Sequence, residues 1–274
     1  MVDLSKTLLG QSTDYVDQYS PGLLYPLPRK VKRDELGIDS QRLPFKGVDI
    51  WNSYELSWLA PSGKPQVAVV EFSIPCDSAN IIESKSFKLY LNSLNQSVFE
   101  SPEQLEEVLV KDLSNVAGRE VSVNILTLDQ SLSISAGSEN RQLIDSLDID
   151  GFSYEVDPCL LTVSKGGVVE QQLVSHLLKT NCPVTGQPDW ASLLIDYSGC
   201  AIDHEGLLRY IVSYRNHQDF HEQCVERIFI DIMERCAPEK LTVYARYTRR
   251  GGLDINPLRS TEADFLGNIR LSRQ

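Results

Sequence analysis

No apolar run in this chain approaches the roughly 18 residues that a membrane-spanning helix needs. Its strongly apolar stretches are as short as Val67-Ala68-Val69-Val70. The opening Met1-Val2-Asp3-Leu4-Ser5-Lys6 lacks the charged-then-apolar shape of a secretory leader. Cysteine is sparse, 6 in 274 residues, and none forms a CxxC pair, which excludes a disulfide scaffold. A reduced, cytoplasmic protein is expected. Positive charge is also short: 26 Lys and Arg stand against 38 Asp and Glu, a net −12. That argues against nucleic acid or an anionic membrane as the main partner, although a local basic patch could still hold an anionic small molecule. No GxGxxG follows a strand and no GxxxxGK[ST] occurs, so neither a dinucleotide fingerprint nor a P-loop is present. There is no HExxH, and His176, His204, His217 and His221 make no spaced zinc set with the cysteines.

What is present is ordinary globular material, 42% hydrophobic and 23% charged, long enough for one large domain or two of similar size. Residues 1–60 hold turn signals and aromatics (Trp51, Tyr54, Trp58) and read as an N-terminal arm packed on the core. A valine-rich strand is predicted at about 65–75. A helix follows through Phe87, Tyr90, Leu91 and Leu94, and a second opens at Ser101-Pro102, an N-cap serine with proline at the first helical position. A strand near 119–128 closes the set. The second half repeats the order, with strands near 152–163 and 191–198, helices at about 204–216 and 220–236, and a strand near 240–248. A shift of 120 residues superposes Tyr90 on Tyr210, Ser93 on Ser213, Glu106 on Glu226, Ala117 on Ala237 and Val123 on Val243. The pattern predicts a duplicated unit, residues 1–135 and 140–274, joined by the Ser/Gly-rich stretch Ser133–Asn140.

Few residues offer chemistry. Cys182 lies among turn formers in Asn181-Cys182-Pro183-Val184-Thr185-Gly186-Gln187-Pro188-Asp189-Trp190, a poor setting for a merely buried thiol. Asp189 is placed in the same loop, as an acid or base beside the thiol or simply as a turn residue. Asp219 can cap the long helix with Glu222 completing a capping box, whereas His221 has no structural need to be histidine. Ser84 is a plausible N-cap, and a helix start beside Lys85 suits a phosphate. Arg246, Arg249, Arg250, Gly251 and Gly252 form a basic run that either holds a phosphorylated cofactor or is a solvated turn.

Together these segments resemble one family. Glu83-Ser84-Lys85-Ser86-Phe87-Lys88-Leu89-Tyr90 is similar to the signature of the NADPH-dependent 7-cyano-7-deazaguanine reductases of queuosine biosynthesis, a tRNA-modification route. The likeness extends through His221–Arg227, Tyr244–Pro257, Asp49–Trp51 and Tyr54–Trp58, in the long form with two tunnelling-fold units per chain. The resemblance implies an α+β fold of two tandem units, each an antiparallel sheet with a pair of helices on one face. It implies Cys182 as the nucleophile forming a thioimide and Asp189 as the proton donor. His221 would assist proton transfer and, with Glu222, contact the substrate. Ile82, Glu83 and Ser84 would bind the deazaguanine ring; Ser84, Lys85, Arg250 and Gly251 would bind NADPH, two per turnover. No metal is expected. The partners are the small-molecule nitrile and a second copy in a homodimer, with no nucleic acid and no membrane. A pterin- or purine-type cyclohydrolase or synthase on the same fold, a Cys-His thiol hydrolase and a non-catalytic purine-binding module are the alternatives.

Overall fold

The computed structural model describes residues 15–128, 141–263 and 267–274. The chain clusters into two compact units. One takes the described residues of Met1–Arg42, Val48–Leu132 and Arg249–Asp254; the other takes those of Leu43–Gly47, Ser133–Thr248 and Ile255–Gln274. The stretch Ser133–Asn140, expected as a linker, lies outside the described residues.

The first unit runs β1 (Pro26–Pro28), α1 (Arg29–Glu35), β2 (Lys46–Leu59), β3 (Pro65–Pro75), β4 (Asn80–Ile82), α2 (Ser84–Asn92), α3 (Pro102–Ala117) and β5 (Ser122–Leu126). Strand β3 pairs antiparallel with β2 on one side and β5 on the other, and β1 pairs with β4. Alternate side chains of β3 are buried, as a half-covered strand requires. On these strands lies Phe87 of α2, edge-on to Phe72 at 4.9 Å and tilted against Trp51 at 5.2 Å. Helix α3 starts as expected, with Ser101 Oγ accepting from the Gln104 N–H and proline in the first turn; it ends at Gly118 in the left-handed region (φ 74°).

The expected N-terminal arm is corrected here. Residues 46–59 form a long strand, disguised because polar residues occupy its buried positions. Asp49 pairs with Arg29 inside the unit, Asn52 donates to Asp254 at 2.8 Å, and a bulge between Ser53 and Leu56 breaks the alternation.

The second unit runs β6 (Gln142–Leu143), β7 (Val163–Asn181), β8 (Pro188–Ile202), α4 (His204–Ser213), α5 (His221–Cys236), β9 (Lys240–Tyr247) and β10 (Leu253–Ser260), with its strands in the order β10-β9-β8-β7-β6. All pairs but β6–β7 are antiparallel. The strand expected near 152–163 is absent. Asp157 there accepts from the Cys159 N–H and Pro158 opens a single 3₁₀ turn, which takes the place of a ladder. The strand lies instead at 163–181. Its first half is exposed on both faces and contains Gly166-Gly167, which erased the hydrophobic signal. Strand β10 also went unread, because Asp254, Asn256 and Arg259 are buried in it.

The 120-residue repeat has a physical counterpart within each unit. Helices α2 and α4 begin at 84 and 204, capped by Glu83 and Asp203. Tyr90 Oη donates to Asp112 at 2.8 Å and Tyr210 Oη to Asp231 at 2.6 Å, while Ser93 and Ser213 each donate to the carbonyl of their tyrosine. The architecture is mixed α+β, antiparallel sheet with paired helices.

Candidate active site

In the second unit, β7 and β8 form a hairpin whose last pair is Asn181 with Pro188. Cys182 sits just beyond that pair. Its N–H donates to Gln187 O at 2.9 Å and its carbonyl accepts from the Gly186 N–H at 3.0 Å, so the thiol is held at the root of a six-residue turn, only 4% exposed. Asp189 is not in that loop as expected. It is the second residue of β8, opposite Thr180, because proline is tolerated at the first position of a strand and the ladder starts at Pro188. Its carboxylate is buried, with Oδ2 3.3 Å from His221 Nε2.

His221 is the first residue of α5, directly after the N-cap Phe220. The capping box read onto Asp219 and Glu222 is corrected. Asp219 accepts from or pairs with His217 Nε2 at 2.7 Å, and the reciprocal bond to the Phe220 N–H comes from Gln223 at 3.3 Å. Gln223 rather than Glu222 thus completes the box, and Glu222 beside it is buried. The His221 ring stacks on Tyr247 at the end of β9, centroids 3.7 Å apart and planes within 2°. With Nε2 toward a carboxylate, Nδ1 is the remaining edge; it is buried and has no partner among the described residues. Thr180 and Tyr247 add hydroxyls to the same cluster. Burial pushes the Tyr247 phenol well above its ordinary value, with Cys224 and Asp189 adding to the effect. Tyr247 and Thr180 were not singled out in the sequence. Tyr247 lies inside a quoted motif, but nothing local marks it as facing His221.

In the first unit, Ile82 ends β4 and is buried, and Glu83 follows with 0% exposure. Glu83, not Ser84, is the N-cap of α2: Oε1 accepts from the Lys85 N–H at 2.7 Å and Oε2 from the Ser86 N–H at 2.8 Å. Burial raises its carboxyl above the ordinary glutamate value, and these N–H donors offset only part of that. Ser84 and Lys85 open the helix, half-buried. Lys88, one turn on, lies against Gly251; a Cβ at Gly251 would fall 1.9 Å from its Nζ, and φ there is +56°. The turn bearing Arg250 and Gly251 is thus brought to α2. It is pinned by Tyr54 N–H to Gly252 O at 2.9 Å, and Tyr54 Oη holds Asp254 at 2.7 Å. Arg249 stands over the Tyr54 ring.

The sequence-predicted residues therefore fall into two groups. Ile82, Glu83, Ser84, Lys85, Arg250 and Gly251 are in the first unit, and Cys182, Asp189, His221 and Glu222 are in the second. Among the described residues, no three His, Cys, Asp or Glu side chains form a group able to hold a metal ion, and no helix is long and apolar enough to cross a membrane. All six cysteines are free thiols.

Residues 15–125 match the family described as "Nitrile reductase, 7-cyano-7-deazaguanine-reductase N-term", and residues 188–264 match that described as "QueF-like protein". Among solved structures, the archaeosine synthase QueF-Like in its apo form is similar to 37% of this chain over 100% of its own length, at 14% identity and a TM-score of 0.32.

Proposed function

Because the chain belongs to the QueF family, whose N-terminal half is that of 7-cyano-7-deazaguanine nitrile reductases, we propose that it reduces 7-cyano-7-deazaguanine to 7-aminomethyl-7-deazaguanine through a thioimide on Cys182. The observation that carries this reading is the buried thiol at the β7–β8 turn, in the same unit as the Asp189–His221 pair. A nitrile is a poor hydride acceptor. Addition of the Cys182 sulfur to the nitrile carbon, with a proton from Asp189 to the nitrogen, turns it into a thioimide that accepts hydride far better. His221, with Nδ1 as its open edge, serves the later proton transfers to the same nitrogen as it becomes an amine. Glu83 suits the guanine-like edge of the ring. Each of its oxygens already accepts one backbone N–H, and a carboxylate has lone pairs left for two more donors.

The first unit fits a phosphorylated dinucleotide. Lys88 Nζ lies against the turn at Gly251, with Arg250 beside it in that turn and Lys85 one turn before Lys88 on α2. Ser84, Lys85, Arg250 and Gly251 would hold NADPH there, and NADPH would supply two hydrides per nitrile. Lysine and arginine pairing with a 2′-phosphate favours it over NADH.

Mass spectrometry of the protein with the nitrile and no NADPH tests the reading. One substrate mass should appear on the peptide carrying Cys182, and NADPH should then be consumed at two per amine. An adduct on another cysteine, or one NADPH per product, overturns it.

A further inference from the structure

We propose that Tyr247 is a positioning residue for the reaction just described: its ring face fixes the His221 imidazole with Nε2 toward Asp189 and Nδ1 toward the reacting nitrogen. The inference rests on that reading of the chemistry. Its structural basis does not. The two rings are nearly parallel and stacked, centroids 3.7 Å apart, closer than ordinary aromatic contacts, and both are buried. An imidazole on the first residue of a helix can otherwise rotate about its side-chain bonds. A flat face on one side and a carboxylate at 3.3 Å on one edge leave it a single orientation. The face also stabilises the imidazolium that forms when Nδ1 takes up a proton.

Tyr247 is itself braced in an unusual way. The β9–β10 ladder pairs Thr242–Tyr244 with Leu258–Ser260 and stops short of Tyr247. Two side-chain amides take its place. Asn256 Oδ1 accepts from the Tyr247 N–H at 3.1 Å, Gln274 Nε2 donates to the Tyr247 carbonyl at 3.0 Å, and the two amides bond each other at 2.8 Å. Gln274 Oε1 accepts in turn from Arg246 Nε at 2.9 Å. The tyrosine that faces His221 is thereby fixed through its backbone rather than through its hydroxyl.

The titratable groups around His221 are Asp189 from β8, Tyr247 from β9, Glu222 and Cys224 on its own helix, and the His217–Asp219 pair before it. The test is the NMR shift of the His221 ring protons at fixed pH in the free protein, their signal identified as the one lost in His221→Asn. Alongside it, NADPH turnover is measured. The face of Tyr247 should hold those protons upfield, so Tyr247→Leu should move them downfield and slow turnover at least tenfold. Tyr247→Phe, which keeps the ring face, should keep the upfield shift and most of the rate. Gln274→Ala, which removes the brace on the Tyr247 backbone, should move the shift the same way by less. A wild-type shift in Tyr247→Leu overturns the proposal, even where turnover slows. Should that variant not fold, an unmoved shift in Gln274→Ala overturns it alone. If the wild type forms no thioimide, the proposed reaction fails while the ring shifts still decide the hold of Tyr247 on His221.

Discussion

Two helix-capping carboxylates, 120 residues apart, sit in different surroundings. Glu83 and Asp203 each cap a helix by accepting from two backbone N–H groups. Asp203 is exposed, whereas Glu83 is fully buried with its carboxyl raised by that burial. Glu83→Gln should therefore weaken non-covalent nitrile binding, measured calorimetrically in a Cys182→Ala background, by about 10²-fold, since charged hydrogen bonds are worth about 1.5–3 kcal/mol each. Asp203→Ala should cost about 1 kcal/mol of stability, the usual worth of a cap, and leave that binding alone. The pH dependence follows from the direction of the Glu83 shift. Binding that needs the carboxylate should fall away as pH drops through the raised value, earlier than for an ordinary glutamate. Stability runs the other way: a carboxyl raised on folding contributes most below its unfolded value and loses that contribution as pH rises through the folded one. Binding isotherms that stay flat across the acid range would contradict this.

Among the elements, α5 joins chemistry to architecture. Its first turn carries His221 and Glu222, and one turn later Glu226 receives Arg259 of β10 through two N–H groups at 3.1 and 2.9 Å, under the Phe45 ring. Removing one partner of such a buried pair leaves a stranded charge, so Glu226→Ala should cost about 3–5 kcal/mol in denaturant unfolding. A loss below about 1 kcal/mol, the level of an exposed ion pair, would mean the pair is not the anchor it is taken to be. The sequence reading found the helices well because their apolar stripes and the Ser101-Pro102 start are local signals. It missed β2, the first half of β7 and β10 because those strands bury charges or expose both faces, and only distant partners such as Asp254 for Asn52 or Glu226 for Arg259 make that tolerable. The candidate residues were legible as residue types. That Asp189 belongs to a strand, that Glu83 does the capping assigned to Ser84, and that Gln223 completes the box on α5 were not, since each depends on which hydrogen bond wins locally.

For the whole molecule, the two units are not equal copies. The thiol, Asp189 and His221 occur in the second unit, and the buried Glu83 with its lysines in the first. Neither unit carries both. Neither unit is one continuous stretch: Arg249–Asp254 belongs to the first, while Leu43–Gly47 belongs to the second. Expressed fragments cut between 132 and 133 should thus lack turnover even when mixed briefly, and each should show a lower melting temperature than the intact chain. NADPH oxidation by residues 133–274 alone would refute the division of roles.

The burial of Cys182 bears on how this protein can be probed or inhibited. With the thiol 4% exposed at the root of a hairpin turn, and Cys159 open to solvent, a bulky maleimide or a disulfide-exchange reagent should mark Cys159 first and leave Cys182 unlabelled. Thiol counting would then report a silent residue, and protection of Cys182 would be mistaken for lack of reactivity. A slim, linear electrophile carried on a purine-like ring avoids both problems, since selectivity would come from access rather than from thiol reactivity.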